Sequence, residues 1–93
     1  MNADLETRIR EALLKAISVP DVLSPATKEA IASYLVTGNF GDVEYLEAKA
    51  WGTAKNLPQT VDRLVWYAKH EYFFAMGDAL TTLERILRDH HES

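Results

Sequence analysis

The sequence predicts an all-α fold, a small four-helix bundle-like domain whose last helix is long and rich in aromatic residues. Apolar residues recur every three or four positions along most of the chain, the spacing of helices that each bury one face. Pro20, Gly38 and Pro58 separate these periodic stretches. With 93 residues, the chain is long enough for one modest core, so we expect a single domain over residues 1–93.

The first predicted helix carries Leu5, Ile9, Leu13 and Ile17 at intervals of four, which places them on one stripe. Val19 and Pro20 end this helix, because a residue before proline avoids helical dihedral angles and proline cannot donate a backbone hydrogen bond.

The second predicted helix covers about residues 25–36. Ser24 can cap its first amide groups, and Pro25 suits the first helical position, where a backbone donor would have no partner. Gly38 ends the helix, because glycine adopts the left-handed conformation that satisfies the last carbonyl groups. The residues expected to be buried are Ala30, Ile31, Tyr34 and Leu35.

A third helix is predicted from Asp42, as its N-cap, to about Leu57. Phe40, in the loop before it, is expected to be buried. The apolar positions of this helix are Val43, Leu46, Ala50, Ala54 and Leu57.

The last predicted helix begins near Pro58 or Thr60, and its apolar row stays in phase across Gly77. This favours one continuous helix of about 30 residues, or about 45 Å. The alternative is a break at Met76 and Gly77, with Asp78 as a new N-cap. Residues 89–93 are predicted to be a frayed tail. The core row comprises Val61, Val65, Ala68, Tyr72, Ala75 or Met76, Ala79, Leu83 and Ile86.

The stretch LVWYAKHEYFFAMG, residues 64–77, has more bulky apolar side chains than one core face can use. Three short helices would cover two of its rows but not the third, so we predict a protein interface. The alternative is a central helix that its neighbours surround on all sides. The predicted interface comprises Trp66, Tyr67, His70, Phe73, Phe74, Gly77 and Leu80.

A second candidate surface is an acidic patch formed by Asp42, Glu44 and Glu47. Carboxylates at the start of a helix complement its dipole, which would be a sufficient structural reason for them. The functional alternative is that the patch docks a basic partner.

Sequence patterns of catalytic and cofactor sites are incomplete in this chain, so we predict no catalytic residue, no cofactor and no metal site. The chain has no cysteine, which excludes disulfides and thiolate chemistry. His70 and Glu71 begin a zinc-protease motif, but its second histidine would fall at position 74, which is Phe74. The formal net charge of −4 argues against direct nucleic-acid binding.

The predicted function is therefore a non-catalytic regulatory or protein-interaction module, acting through the helical aromatic surface as a homodimer. One alternative is a small acidic inhibitor, of the phage or bacterial antagonist type, that occupies a basic, nucleic-acid-binding site on a larger protein machine. The remaining class is a small all-α enzyme with a pocket that could use Arg63 and Lys69. The amino terminus lacks signal-peptide features and no apolar run is long enough for a membrane span, so the predicted location is cytoplasmic.

Overall fold

The structure, a computed structural model, describes residues 3–46 and 56–92, and these form four α-helices. Helix α1 spans Ala3–Ile17, α2 spans Pro25–Thr37, α3 spans Leu57–Lys69 and α4 spans Phe73–Glu92. The predicted fold class is confirmed. Residues 89–92, which the sequence predicts as a frayed tail, continue α4.

The core lies between all four helices. The most extensive pair is α3 with α4; α1 packs against α4, and α2 contacts both α1 and α3. The bulkiest fully buried apolar side chains are Ile9, Leu13, Ile31, Leu64, Met76, Leu80 and Leu83.

Local signals fix both ends of α2 as predicted. The Ser24 hydroxyl accepts a hydrogen bond from the Thr27 amide at 3.2 Å, and Pro25 begins the helix. At the other end Gly38 has φ of 80° and donates its N–H to the Tyr34 carbonyl at 2.8 Å. Phe40, just beyond, is buried, as expected.

The prediction that a third helix begins at Asp42 is wrong. Residues 42–46 form a turn, in which Asp42 Oδ1 accepts a hydrogen bond from the Glu44 amide at 3.1 Å. The Leu46 N–H donates to the Val43 carbonyl at 3.0 Å, so the backbone bonds to the third preceding residue and not to the fourth, as it would in an α-helix. Val43 and Leu46 are buried as expected, and the predicted positions at Glu47, Ala50 and Ala54 lie outside the described residues.

Helix α3 starts at the residue that the sequence assigns to the end of the preceding helix. Asn56 is its N-cap, and the Asn56 side chain accepts a hydrogen bond from the Gln59 amide at 2.9 Å. Leu57 therefore belongs to α3 and is buried in the core.

The prediction of one helix through the aromatic stretch is wrong, because α3 ends at Lys69 and α4 starts at Phe73. The chain is continuous helix across Gly77, so the alternative break at Met76 and Gly77 does not occur either. The longest principal extent of the fold is 32 Å, shorter than the length of about 45 Å that one straight helix would have. Turning at residues 70–72 lets the two halves bury their apolar rows against each other.

The predicted core row is buried on both sides of this turn but not within it. Val65, Ala68, Met76 and Ala79 are buried, whereas Tyr72 is 53% exposed. Tyr72 lies outside both helices, so helical spacing does not determine where its ring points.

Candidate protein-interaction surface

The turn between α3 and α4 carries a group of aromatic rings at the protein surface. We call this group the aromatic corner. Tyr72, Phe73 and Phe74 are consecutive and are 53%, 47% and 95% exposed. Its six members are Trp66, Tyr67, His70, Tyr72, Phe73 and Phe74.

Backbone hydrogen bonds at the end of α3 build this corner. The Tyr72 N–H donates to the Tyr67 carbonyl at 2.9 Å and the Glu71 N–H donates to the Ala68 carbonyl at 3.3 Å, the pair of bonds that defines a Schellman motif. Glu71 occupies the left-handed position usually taken by glycine, with φ of 61°. A side chain in this conformation costs about 1–2 kcal/mol.

Helix α4 begins immediately after this motif. The Tyr72 carbonyl accepts the Met76 N–H at 2.8 Å, so Tyr72 completes the end of α3 and is also the first acceptor of α4. The two helices therefore meet without a linker, and the aromatic residues at the junction are held by regular backbone structure on both sides.

Rings at the aromatic corner also pack on one another. The Trp66 ring centroid lies 3.9 Å from that of His70 and 5.6 Å from that of Tyr72. Tyr67 meets Tyr72 with their centroids 6.2 Å apart in an edge-to-face arrangement. Such contacts are favourable for aromatic pairs, so these rings support one another within the chain.

Glu44 joins the acidic patch to the aromatic corner. Glu44 Oε1 lies 2.8 Å from His70 Nε2, within ion-pair distance when the imidazole is protonated. Nε2 is buried, and the geometry between the two groups is not that of a hydrogen bond. Asp42 binds the Glu44 amide and completes this part of the patch, while Glu47 lies outside the described residues.

Most of the predicted interface is brought together, and one member is wrongly assigned. Trp66, Tyr67 and His70 are half-buried beside the exposed Phe73 and Phe74. Leu80 is completely buried in the core. It shares a row with Phe73, but it lies two helical turns further along α4, where the other helices cover it.

Gly77 and Tyr72 also differ from their sequence assignments. A Cβ atom on Gly77 would meet nothing within 4 Å, so the chain itself makes no close approach there. Tyr72, which the sequence places in the core, belongs to the aromatic corner. Predicting the exposure of Tyr72 would have required a sequence signal that α3 ends before residue 70. No glycine or proline provides such a signal there.

Charged side chains surround the aromatic corner. Exposed carboxylates are contributed by Asp42, Glu44, Glu71 and Asp78. The nearby cations are Lys69, whose Nζ lies 3.3 Å from Asn39 Oδ1, and Arg63, which lines a cavity of about 100 Å³ together with Tyr67 and Asp78.

A larger concavity lies elsewhere, between α1 and the carboxyl-terminal part of α4. It has a volume of about 600 Å³. Arg8 crosses it and donates two hydrogen bonds to Glu84, at 2.5 and 3.2 Å, which raise the pKa of Arg8. Both partners are substantially exposed, so this pair adds little stability. The lining residues are Arg8, Glu11, Ala12, Lys15, Ser18, Val19, Glu84, Leu87, Arg88 and His90.

Within residues 3–46 and 56–92, no three side chains of the histidine, cysteine, aspartate and glutamate types form a group suited to a metal ion. None of the described helices combines the length and the apolar character needed to cross a membrane. Comparisons with protein families, with curated proteins and with solved structures found no match.

Proposed function

We propose that this chain is a small, non-catalytic protein-interaction module that acts through the aromatic corner. The observation that carries the proposal is the run of three exposed aromatic side chains at one turn, with Phe74 95% exposed. Large aromatic side chains concentrate at the centres of protein interfaces and provide much of their binding energy. The cytoplasmic location expected from the sequence is part of this proposal.

Energetics support a contact role for Phe74. Its ring contributes almost nothing to the core, whereas burying a phenylalanine side chain in a partner is worth about 1.5–3 kcal/mol. The adjacent Trp66 and Tyr72 rings are already stacked, so little side-chain entropy is lost when a partner covers them.

Two kinds of partner fit this proposal. The sequence predicts a homodimer, and closed two-fold dimers are the commonest form of self-association. The same surface could instead receive a different protein, which would suit a regulatory module or an inhibitor.

Light scattering tests the self-association form of the proposal. The wild type is measured over a concentration series beside Phe74→Ser and a matched control, Val36→Ser, which changes another exposed apolar residue, on α2. A homodimer formed by the aromatic corner would have a mass near twice 10.5 kDa, would dissociate in Phe74→Ser and would persist in the control. Equal association of all three proteins would exclude the aromatic corner as the contact.

A further inference from the structure

We infer that the aromatic corner receives a basic protein segment, one that carries lysine or arginine beside an apolar side chain, rather than a second copy of this chain. This inference rests on the proposed function and adds the chemistry of the partner. The observations behind it are the charges around the exposed rings and the contact that joins those charges to them.

Glu44 contacts one of the rings directly, and two further acidic residues lie next to it or within the turn. Glu71 lies within the turn, between His70 and Tyr72. Glu44 contacts His70 at 2.8 Å, and the Asp42 carboxylate binds the Glu44 amide. Asp42 and Glu44, the described members of the acidic patch, therefore form one surface with the aromatic corner, although the sequence presents them as separate candidates.

Cations do not balance these carboxylates among the described residues. Asp78 follows Phe74 by one helical turn and brings the carboxylates to four, against Lys69 and Arg63. Arg63 lines the same cavity as Asp78, and Lys69 lies beside Asn39. The described part of the surface thus carries an excess of two negative charges, counting histidine as neutral.

Exposed rings beside carboxylates suit a cationic side chain in two ways. A guanidinium or ammonium group is attracted to the face of an aromatic ring, and it can pair with a carboxylate at the ring edge. The chain already uses the first of these contacts, because Arg10 Cζ lies 5.1 Å from the centroid of the Tyr34 ring. An apolar side chain on the same partner segment would cover Phe74.

Charge also disfavours a second copy as the occupant. A two-fold contact centred on the aromatic corner would bring the four carboxylates of one molecule against the four of the other, and like charges across an interface reduce affinity. The helix dipoles do not reverse this conclusion. The negative end of α3 and the positive end of α4 are separated by only three residues, so their partial charges largely offset each other.

The test is a selection from a random 12-residue peptide library displayed on phage. Peptides are selected on the immobilised full-length wild type and depleted on Phe74→Ser, so that only ligands of the aromatic corner remain. We expect the recovered peptides to be rich in lysine and arginine with at least one apolar anchor. Their affinity for Phe74→Ser should be more than tenfold weaker than for the wild type, as for an interface hot spot.

Charge-reversal variants distinguish a local effect of the carboxylates at the aromatic corner from an effect of the net charge of the protein. Glu71→Lys should weaken the selected peptides about fivefold, because it replaces attraction with repulsion at the edge of the surface. The control is Asp89→Lys, which makes the same change in net charge at an exposed position of α4, 11 residues after Asp78. It should alter the affinity for the peptides less than twofold. Raising the salt concentration to about 0.5 M should weaken binding to the wild type and reduce the difference between the two variants.

Four outcomes would overturn the inference. Recovery of neutral or acidic peptides, or equal effects of Glu71→Lys and Asp89→Lys, would reject a basic partner while the proposed function stands. A salt-resistant wild-type dimer that dissociates in Phe74→Ser would identify the occupant as a second copy. If the wild type is monomeric and no recovered peptide depends on Phe74, both the inference and the proposed function fail.

Discussion

Helices α2 and α3 are each followed by a residue in the left-handed conformation, but only after α2 is the next aromatic residue buried. After Gly38, with φ of 80°, Phe40 folds back and stacks on Tyr34 with their centroids 4.2 Å apart and their planes within 3°. Phe40 is 5% exposed. The aromatic residue that follows this helix end is therefore part of the core.

The aromatic residue that follows α3 also packs on a ring of its own helix, but it remains exposed. Beyond Glu71, with φ of 61°, Tyr72 meets Tyr67 edge to face but stays 53% exposed, and Phe73 and Phe74 extend the exposed surface. A hydrophobic contact commonly accompanies this type of helix end. Here the contact between Tyr67 and Tyr72 leaves Tyr72, Phe73 and Phe74 exposed to solvent.

The largest expected difference between the two turns is the effect of deleting an aromatic ring. Phe40→Ala should destabilise the protein by about 3–5 kcal/mol, because it leaves a cavity against Tyr34. Phe74→Ala should change the free energy of unfolding by less than about 0.5 kcal/mol. Urea unfolding of both variants, followed by circular dichroism, measures these changes. A large decrease in the free energy of unfolding of Phe74→Ala would show that the Phe74 ring is part of the core.

Substitutions at Leu80 and Gly77 test which positions of α4 belong to the core and which belong to the surface. Leu80 is completely buried, so the substitution should cost about 2–5 kcal/mol. Gly77→Ala, one turn earlier, has space for its Cβ and should stabilise the helix by about 0.5–1 kcal/mol. Thermal unfolding of the two variants should give melting temperatures that move in opposite directions. If Leu80→Ala were as stable as the wild type but associated differently, Leu80 would belong to the interface, as the sequence predicts.

The backbone of the two turns can be compared by reciprocal substitutions. Gly38→Ala should cost about 1 kcal/mol, and because nothing lies within 4 Å of the new Cβ, the cost comes from the left-handed conformation. Glu71→Gly should stabilise the fold by less than about 1 kcal/mol, since relief of the same conformation is partly offset by a more flexible unfolded chain. Urea midpoints measure both. Destabilisation by Glu71→Gly would show that the Glu71 side chain supports the turn.

Tyr34→Phe should change the free energy of unfolding near neutral pH by no more than about 1 kcal/mol, because the Tyr34 hydroxyl is buried without a hydrogen-bond partner. Burial raises the pKa of Tyr34; nearby Glu6 raises it further and Arg10 opposes the shift. A raised pKa in the folded state adds stability below the ordinary tyrosine value, about 10, and that stability is lost as the pH rises through the folded-state pKa. The wild type should therefore lose more stability than Tyr34→Phe above pH 10, in urea unfolding measured at pH 7 and pH 10.5. Parallel losses would show that Tyr34 ionises as easily folded as unfolded.

Local sequence signals determined the fold class, both ends of α2 and most of the buried positions. Ser24, Pro25 and Gly38 act through hydrogen bonds and dihedral preferences within a few residues, so their effect can be read without knowing the rest of the fold. The apolar rows were likewise buried at most helical positions, although Leu35 and Ile86 are only half-buried.

Tertiary packing decided what the sequence does not mark. No glycine or proline signals the end of α3, and Glu71 adopts its unfavourable conformation because the turn allows α3 and α4 to bury their apolar rows against each other. That packing buries Leu80 and leaves Tyr72 and Phe74 exposed, although helical spacing alone groups Leu80 with Phe73 and assigns Tyr72 to the core. Periodicity gives the direction of a side chain around its own helix, whereas its exposure depends on which other helices cover that position.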